Sequence, residues 1–213
     1  SDSIMKNVVA YYEKHGTSNE RMLAYYMLGC VYRDIHEAPM ALEYYNKATE
    51  QADTTSQDCD YATLCRIYGQ MGILFEKQFL PYQELGALDK AVKYAYFAKD
   101  TLNALRYYQN KNSAYDFLGK KDSAIIINLK AANLFRKHGY DYDANIAFGC
   151  NYIYYIDNKN YPKAKEAFEA YQSTNYQGNT NYDDSKAFLL YEKGLYYMFM
   201  NNLNIAYTCL QQI

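Results

Sequence analysis

The chain has 213 residues and half of them are apolar by type, but 28 are tyrosines and the mean hydropathy is −0.50, which argues against a chain built of membrane spans. With only 10 Gly and 3 Pro it lacks the turn formers of a many-stranded sandwich, a collagen-like chain or a Pro-rich disordered segment. Its 22 Lys and Arg against 24 Asp and Glu leave a net charge of −2, so the long-range attraction of general nucleic-acid binders is missing and no nucleic acid is expected to contact this region.

Apolar periodicity and turn residues predict helices over 3–15, 19–34, 38–52, 59–78, 82–99, 101–118, 121–138, 142–156, 161–172, 183–200 and 203–213, with no strand. The first ends in Tyr12-Glu13-Lys14-His15-Gly16 and the seventh in Phe135-Arg136-Lys137-His138-Gly139, an offset of 123 residues. In both, cations answer the carbonyl end of the helix dipole and the glycine is expected to take a left-handed turn. Helix 3–15 therefore reads as the second half of a repeat whose first half is not in the chain.

The next two helices carry Tyr25, Leu28, Gly29 and Tyr32, then Ala41, Tyr45 and Ala48. Small residues at 29 and 41 let two helices touch while the aromatic rings fill the gaps around them. The following pair has Tyr68, Gly72 and Phe75, then Ala91, Ala95 and Ala98, with Gly72 matched to Ala91 across 19 residues where Gly29 and Ala41 are 12 apart. The seven extra residues are expected to lengthen both helices by about one turn near Pro81. A third pair places Tyr108, Tyr115, Gly119, Ala124 and Ala131 in register with Asn112 at the small site, and a fourth reads Phe148, Tyr155, Tyr161, Ala164 and Phe168 with bulky Tyr152 there. Gly194, Tyr197, Leu203, Ala206 and Leu210 form the fifth, after a polar connection over 173–181. The small sites fall at 29, 72, 112, 152 and 194, spacings of 43, 40, 40 and 42.

This pattern resembles the tetratricopeptide repeat family, most closely at the seven positions from Tyr25 to Ala48, with units longer than the family's usual length of about 34 residues. The resemblance implies an all-α, right-handed superhelix, an α-solenoid of about five helical hairpins plus the N-terminal single helix. A single solenoid domain over 1–213 is expected, with units near 1–16 (partial), 19–53, 59–99, 101–139, 142–172 and 183–213. The Tyr- and Asn-rich style is also similar to the extracytoplasmic repeat regions of envelope regulators of the Bacteroidetes group.

No catalytic constellation is legible. His15 and His138 sit in the helix-ending segments, His36 falls in a short turn, and no nucleophile-base motif, phosphate-binding loop or zinc signature occurs. The five cysteines, Cys30, Cys59, Cys65, Cys150 and Cys209, form no CxxC pair and read as buried or half-buried free thiols. Neither an enzyme, a metal nor a cofactor is expected. Asp183-Asp184 reads as a helix N-terminus answering the dipole.

Six tyrosine doublets, at 11–12, 25–26, 44–45, 107–108, 154–155 and 196–197, stand out. Neighbours on a helix point about 100° apart, so one ring of each can enter the hairpin interface while the other faces a groove or solvent. Tyrosine here is either core filler in place of Leu and Phe or the lining of a binding surface. In the tetratricopeptide family the groove is lined by the first helices of successive units, which carries over here to Tyr26, Arg33, Asp34, Arg66, Glu76, Lys77, Arg106, Gln109, Asp116, Ile153, Asp157, Phe188 and Tyr191. Arg33, Arg66, Lys77 and Arg106 would hold a peptide's carboxylates, unless Asp34, Glu76 and Asp116 pair with them instead. The stricter Lys/Asn pattern of the family's carboxylate-clamp subclass is absent.

The resemblance implies a protein- or peptide-binding module, as the extracytoplasmic sensing or scaffolding region of a larger regulatory protein in the cell envelope. A cytoplasmic peptide receptor and a purely structural assembly scaffold are the alternatives. Membrane contact is expected only through a parent-chain segment outside these residues. Because the chain opens Ser1-Asp2-Ser3 and its last helix offers Leu203, Ala206, Leu210 and Ile213 without a polar cap, a longer parent is expected, with this end either fraying or associating end to end.

Overall fold

The structure is a computed structural model that describes residues 2–174 and 182–212, with backbone alone for 174, 182–189 and 192. Among the described residues all regular structure is helical, in twelve segments and no strand. They divide into two compact units, Ser1–Lys120 and Lys121–Ile213.

The first unit holds α1 (Asp2–His15), α2 (Ser18–Asp34), α3 (Ala38–Glu50), α4 (Tyr61–Lys77), α5 (Pro81–Phe97) and α6 (Thr101–Phe117). Each helix packs on the next, and α2 also touches α4 as α4 touches α6, so α2, α4 and α6 form one layer and α1, α3 and α5 the other. The starts are set locally. Thr17 and Glu20 form a reciprocal capping box at α2, and Asp60 and Asp100 accept the backbone N–H groups of Thr63 and Asn103 at α4 and α6 (2.9 and 3.1 Å). Pro81 opens α5, where a missing N–H has no cost.

The second unit contains α7 (Lys121–Lys137), α8 (Asp141–Gly149), α9 (Tyr152–Asp157), α10 (Tyr161–Thr174), α11 (Tyr182–Phe199) and α12 (Leu203–Leu210). Here α7 packs on α8, α10 lies against both α8 and α9, and α11 pairs with α12. The expected polar connection falls largely on residues outside the described set, as do Ile213 and the side chains of Asp183 and Asp184.

Seven turns share one geometry. His36, Phe79, Lys99, Gly119, Gly139, Lys159 and Asn201, each two residues past a helix end, have φ between +55° and +77°. The next residue's N–H then reaches back to the last turn, as from Glu37 to the Tyr32 carbonyl (2.9 Å) and from Leu80 to that of Phe75 (2.9 Å). Gly139 fits the expectation, whereas Gly16 does not take a left-handed φ, because α2 follows at once and the Gly16 N–H still bonds the Tyr12 carbonyl (2.8 Å).

Constant turns fix a constant register. A Cβ on Gly29 would lie 2.5 Å from the Tyr45 ring, one on Gly72 2.9 Å from Leu88, and one on Gly194 2.8 Å from Leu210, each partner 16 residues onward. The expected 19-residue match of Gly72 to Ala91 is therefore corrected: Glu84 stands where Ala41 does, Leu88 where Tyr45 does, and Ala91 where Ala48 does. The three-residue turn over 78–80 leaves no room for a longer hairpin. The added length of the unit lies in the 51–60 connection and in α5, which has 17 residues to the 13 of α3.

The expected helix over 142–156 is likewise corrected, since it breaks between α8 and α9. Asn151 is fully buried there and accepts a hydrogen bond from Asn128 Nδ2 (3.0 Å), while its N–H bonds the Phe148 carbonyl in a tighter turn (3.2 Å). Tyr152 fills its site with its ring tilted against Phe168 and edge-on to Tyr196, and close approach moves to Gly149, where a Cβ would meet that of Tyr171 at 2.6 Å.

Some tyrosines serve as core and others, such as Tyr82 and Tyr207, are exposed. Tyr45 is wholly buried, and its doublet partner Tyr44 stacks on Tyr32 (5.2 Å) beneath Lys47. That pair divides its faces as expected. Tyr154 and Tyr155 do not, for both are buried.

Candidate functional site

In the first unit, Arg33 of α2, Arg66 of α4 and Tyr107 of α6 all lie within electrostatic reach of Tyr26 of α2. The floor beneath them begins at Tyr45, whose hydroxyl donates to Cys30 Sγ on α2 (3.6 Å). Tyr26, one turn before Cys30, lays its ring 5.8 Å from that of Tyr45. Burial, with Cys30 beside it, pushes the Tyr26 hydroxyl up to about 12 against the pull of Arg66 and Arg33, so it is a neutral donor at physiological pH.

Arg33 is committed. Its Nη1 donates to Gln70 Oε1 on α4 (2.7 Å), and its Nε and Nη2 both donate to Asp34 Oδ1 (2.9 and 2.7 Å). An interleaved carboxylate has thus taken one of the four cations expected to face a ligand, and Arg33 ties α2 to α4.

Arg66 is placed differently. It is exposed, its Nε donates to the Ala62 carbonyl of its own helix (3.1 Å), and it pairs with no carboxylate among the described residues. That bond anchors the guanidinium through one of its N–H donors. Its positive charge favours the ionised forms of both the Tyr26 and Tyr107 hydroxyls, so the three lie within electrostatic reach of one another.

Tyr107 belongs to α6 and rests on α4 at Gly69, where a Cβ would come within 2.4 Å of its ring. Burial pushes its hydroxyl up to about 12 as well, with Cys65, Tyr26 and Asp100 adding to the effect. Cys65 is buried and its thiol is pushed up to about 11 for the same reason. The result is a donor-rich patch, Tyr26, Arg66 and Tyr107, contributed by three successive first helices.

Of the remaining expected residues, Arg106 is exposed at the place on α6 that Arg66 holds on α4, and Gln109 is half-buried one turn on. Glu76, Lys77 and Asp116 are exposed toward the C-terminal ends of α4 and α6. Ile153, Asp157 and Tyr191 belong to the second unit; Ile153 and Tyr191 are exposed, and Asp157 is paired with Lys121. The side chain of Phe188 lies outside the described residues.

Sequence reasoning missed Cys30, Gly69, Gln70 and Tyr107. The available signal was Gly69 itself, a second helix-interior glycine three residues before the one assigned to the hairpin contact. Among the described residues no group of three His, Cys, Asp or Glu is placed to hold a metal ion, and all five cysteines are free. No described helix is long and apolar enough to cross a membrane.

No protein-family model matches the chain, and no curated protein matches it. Among solved structures it is similar to the crystal structure of BtubC (BKLC) from P. vanneervenii, with a TM-score of 0.74 and 14% identity over 99% of this chain and 87% of that one. At that identity the likeness is one of fold: consecutive helices packed in pairs as a helical repeat.

Proposed function

We propose that this chain is a tetratricopeptide-type module that binds a protein or peptide segment on the outer face of α2, α4 and α6 and catalyses no reaction. The observation that carries this reading is Arg66, an anchored cation without a carboxylate partner among the described residues, within electrostatic reach of two tyrosine hydroxyls. Such a group suits the acidic side chains of an extended segment, and the flanking rings supply apolar area with polar tips. Arg33 contributes rigidity by holding two of the helices together.

The test is to pan a displayed random-peptide library against the 213-residue chain and measure the recovered peptides on variants. Arg66→Glu should weaken them about tenfold or more while the melting temperature stays within about 1 °C, as for an exposed residue. Gly69→Ala, which forces the Tyr107 ring aside, should also change affinity. Recovery of no binding peptide, or affinities indifferent to both substitutions, would contradict the reading.

A further inference from the structure

The α11–α12 hairpin differs from the others in its surface. From Gly194 to Ile213 no Asp, Glu, Lys, Arg or His occurs. Leu203, Tyr207 and Leu210 recur at helical spacing on α12 and are exposed, Tyr207 by 64%, and Tyr191 and Met198 are exposed two turns apart on α11. Loss of charge with Tyr and Met on show is the composition of a protein–protein interface core, and a large apolar patch of this kind marks a contact surface.

The repeat identifies which side of the hairpin this is. Gly194 faces Leu210 as Gly29 faces Tyr45 and Gly72 faces Leu88, so the three hairpins share one register. In that register Tyr191 stands where Gly69 meets Tyr107 of α6, and Met198 where Arg33 reaches Gln70 of α4. Both are contacts that a hairpin makes with the first helix of the next. α3 is covered by α4 and α5 by α6, whereas among the described helices α12 packs chiefly on its own partner α11. The first helix of the chain offers a surface to match. α1 packs on α2, and it shows Ile4 and Tyr11, 66% and 59% exposed, with half-buried Val8 between them at helical spacing. Neither stripe carries a charge, so no ion is stripped of water when they meet. With 14 residues, α1 approaches the 17 of the covering helices α4 and α6, whereas α12 of a second copy has only 8.

We propose that copies of this chain associate end to end, with α1 of one copy seated on the Tyr191, Met198, Leu203 and Tyr207 side of another copy's α11–α12 hairpin, as α4 and α6 are seated on the earlier hairpins. The contact is heterologous: each copy gives one surface and offers the other, so assembly grows with concentration instead of stopping at a dimer. It is independent of what the outer face of α2, α4 and α6 binds.

Sedimentation velocity of the 213-residue chain over a wide range of concentration tests this, with Tyr11→Glu to block one surface and Tyr207→Glu to block the other. Wild type should show mass rising beyond the dimer. Each substitution, at an exposed position, should weaken association about tenfold or more and leave the melting temperature within about 1 °C. Ile4→Glu and Leu203→Glu replace them if either variant folds poorly. The two blocked variants each keep the surface that the other lacks, so an equimolar mixture should form a 1:1 dimer and nothing larger. A wild type that stays monomeric throughout overturns the proposal, as does a mixture that stays monomeric. Association blocked by Tyr207→Glu but indifferent to both α1 substitutions would show α12 pairing with itself, which also overturns it.

Discussion

The α2–α3 and α4–α5 hairpins make the same closest approach with different materials. In α2–α3, Gly29 lies under the flat, fully buried ring of Tyr45, and Ala41 contributes backbone alone beneath it. In α4–α5, Gly72 lies under the branched end of Leu88, and a carboxyl stands at the alanine site. The glycine and the three-residue left-handed turn set the register, and the residues packed around them can change. What each hairpin tolerates then depends on whether the group above its glycine can move.

Gly29→Ala should separate the two most sharply. Its new methyl meets ring atoms at 2.5 and 2.6 Å that are walled in on every side, and the overpacking outweighs the helix-propensity gain of about 1 kcal/mol, for a net loss of about 2 kcal/mol in chemical denaturation. Tyr45→Phe removes the hydroxyl that reaches Cys30 and should cost about 1 kcal/mol in the same measurement, a loss with no counterpart at Leu88. Lys99→Gly should instead stabilise by about 0.5 kcal/mol, because φ is +58° there and the relief of left-handed strain exceeds glycine's entropic cost. Gly72→Ala should fall within about 0.5 kcal/mol of wild type, since the Leu88 methyl group at 2.9 Å can rotate away. Equal losses for Gly29→Ala and Gly72→Ala would show that both contacts are rigid and would remove the distinction.

Helix positions were readable because 3.6-residue periodicity and the turns repeat along the whole chain: the expected helices over 19–34, 38–52 and 161–172 lie close to α2, α3 and α10. The α4–α5 register was not readable because Ala87, Ala91 and Ala95 recur along one face of α5, so a slip of two turns leaves the spacing pattern intact. A charged residue at the alanine site concealed the true match further. The break at Asn151 depends on Asn128, a partner 23 residues away that no local pattern announces. Helical register assigned Tyr26 to α2 and Arg66 to α4, where they lie, but it could not tell that Arg33 is held by Asp34 and Gln70 while Arg66 has no such acid among the described residues. Gly69 and Tyr107 escaped notice because their contact joins two helices across the layer, whereas the reading followed contacts within hairpins.

The proposed binding surface is the outer face of α2, α4 and α6. Amide hydrogen exchange of the chain with and without a saturating library-selected peptide tests it most directly. Slowed exchange should concentrate in α2, α4 and α6, around Tyr26, Arg66 and Tyr107, with α3 and α5 little changed. Protection centred on α3 and α5, or confined to the second unit, would contradict it.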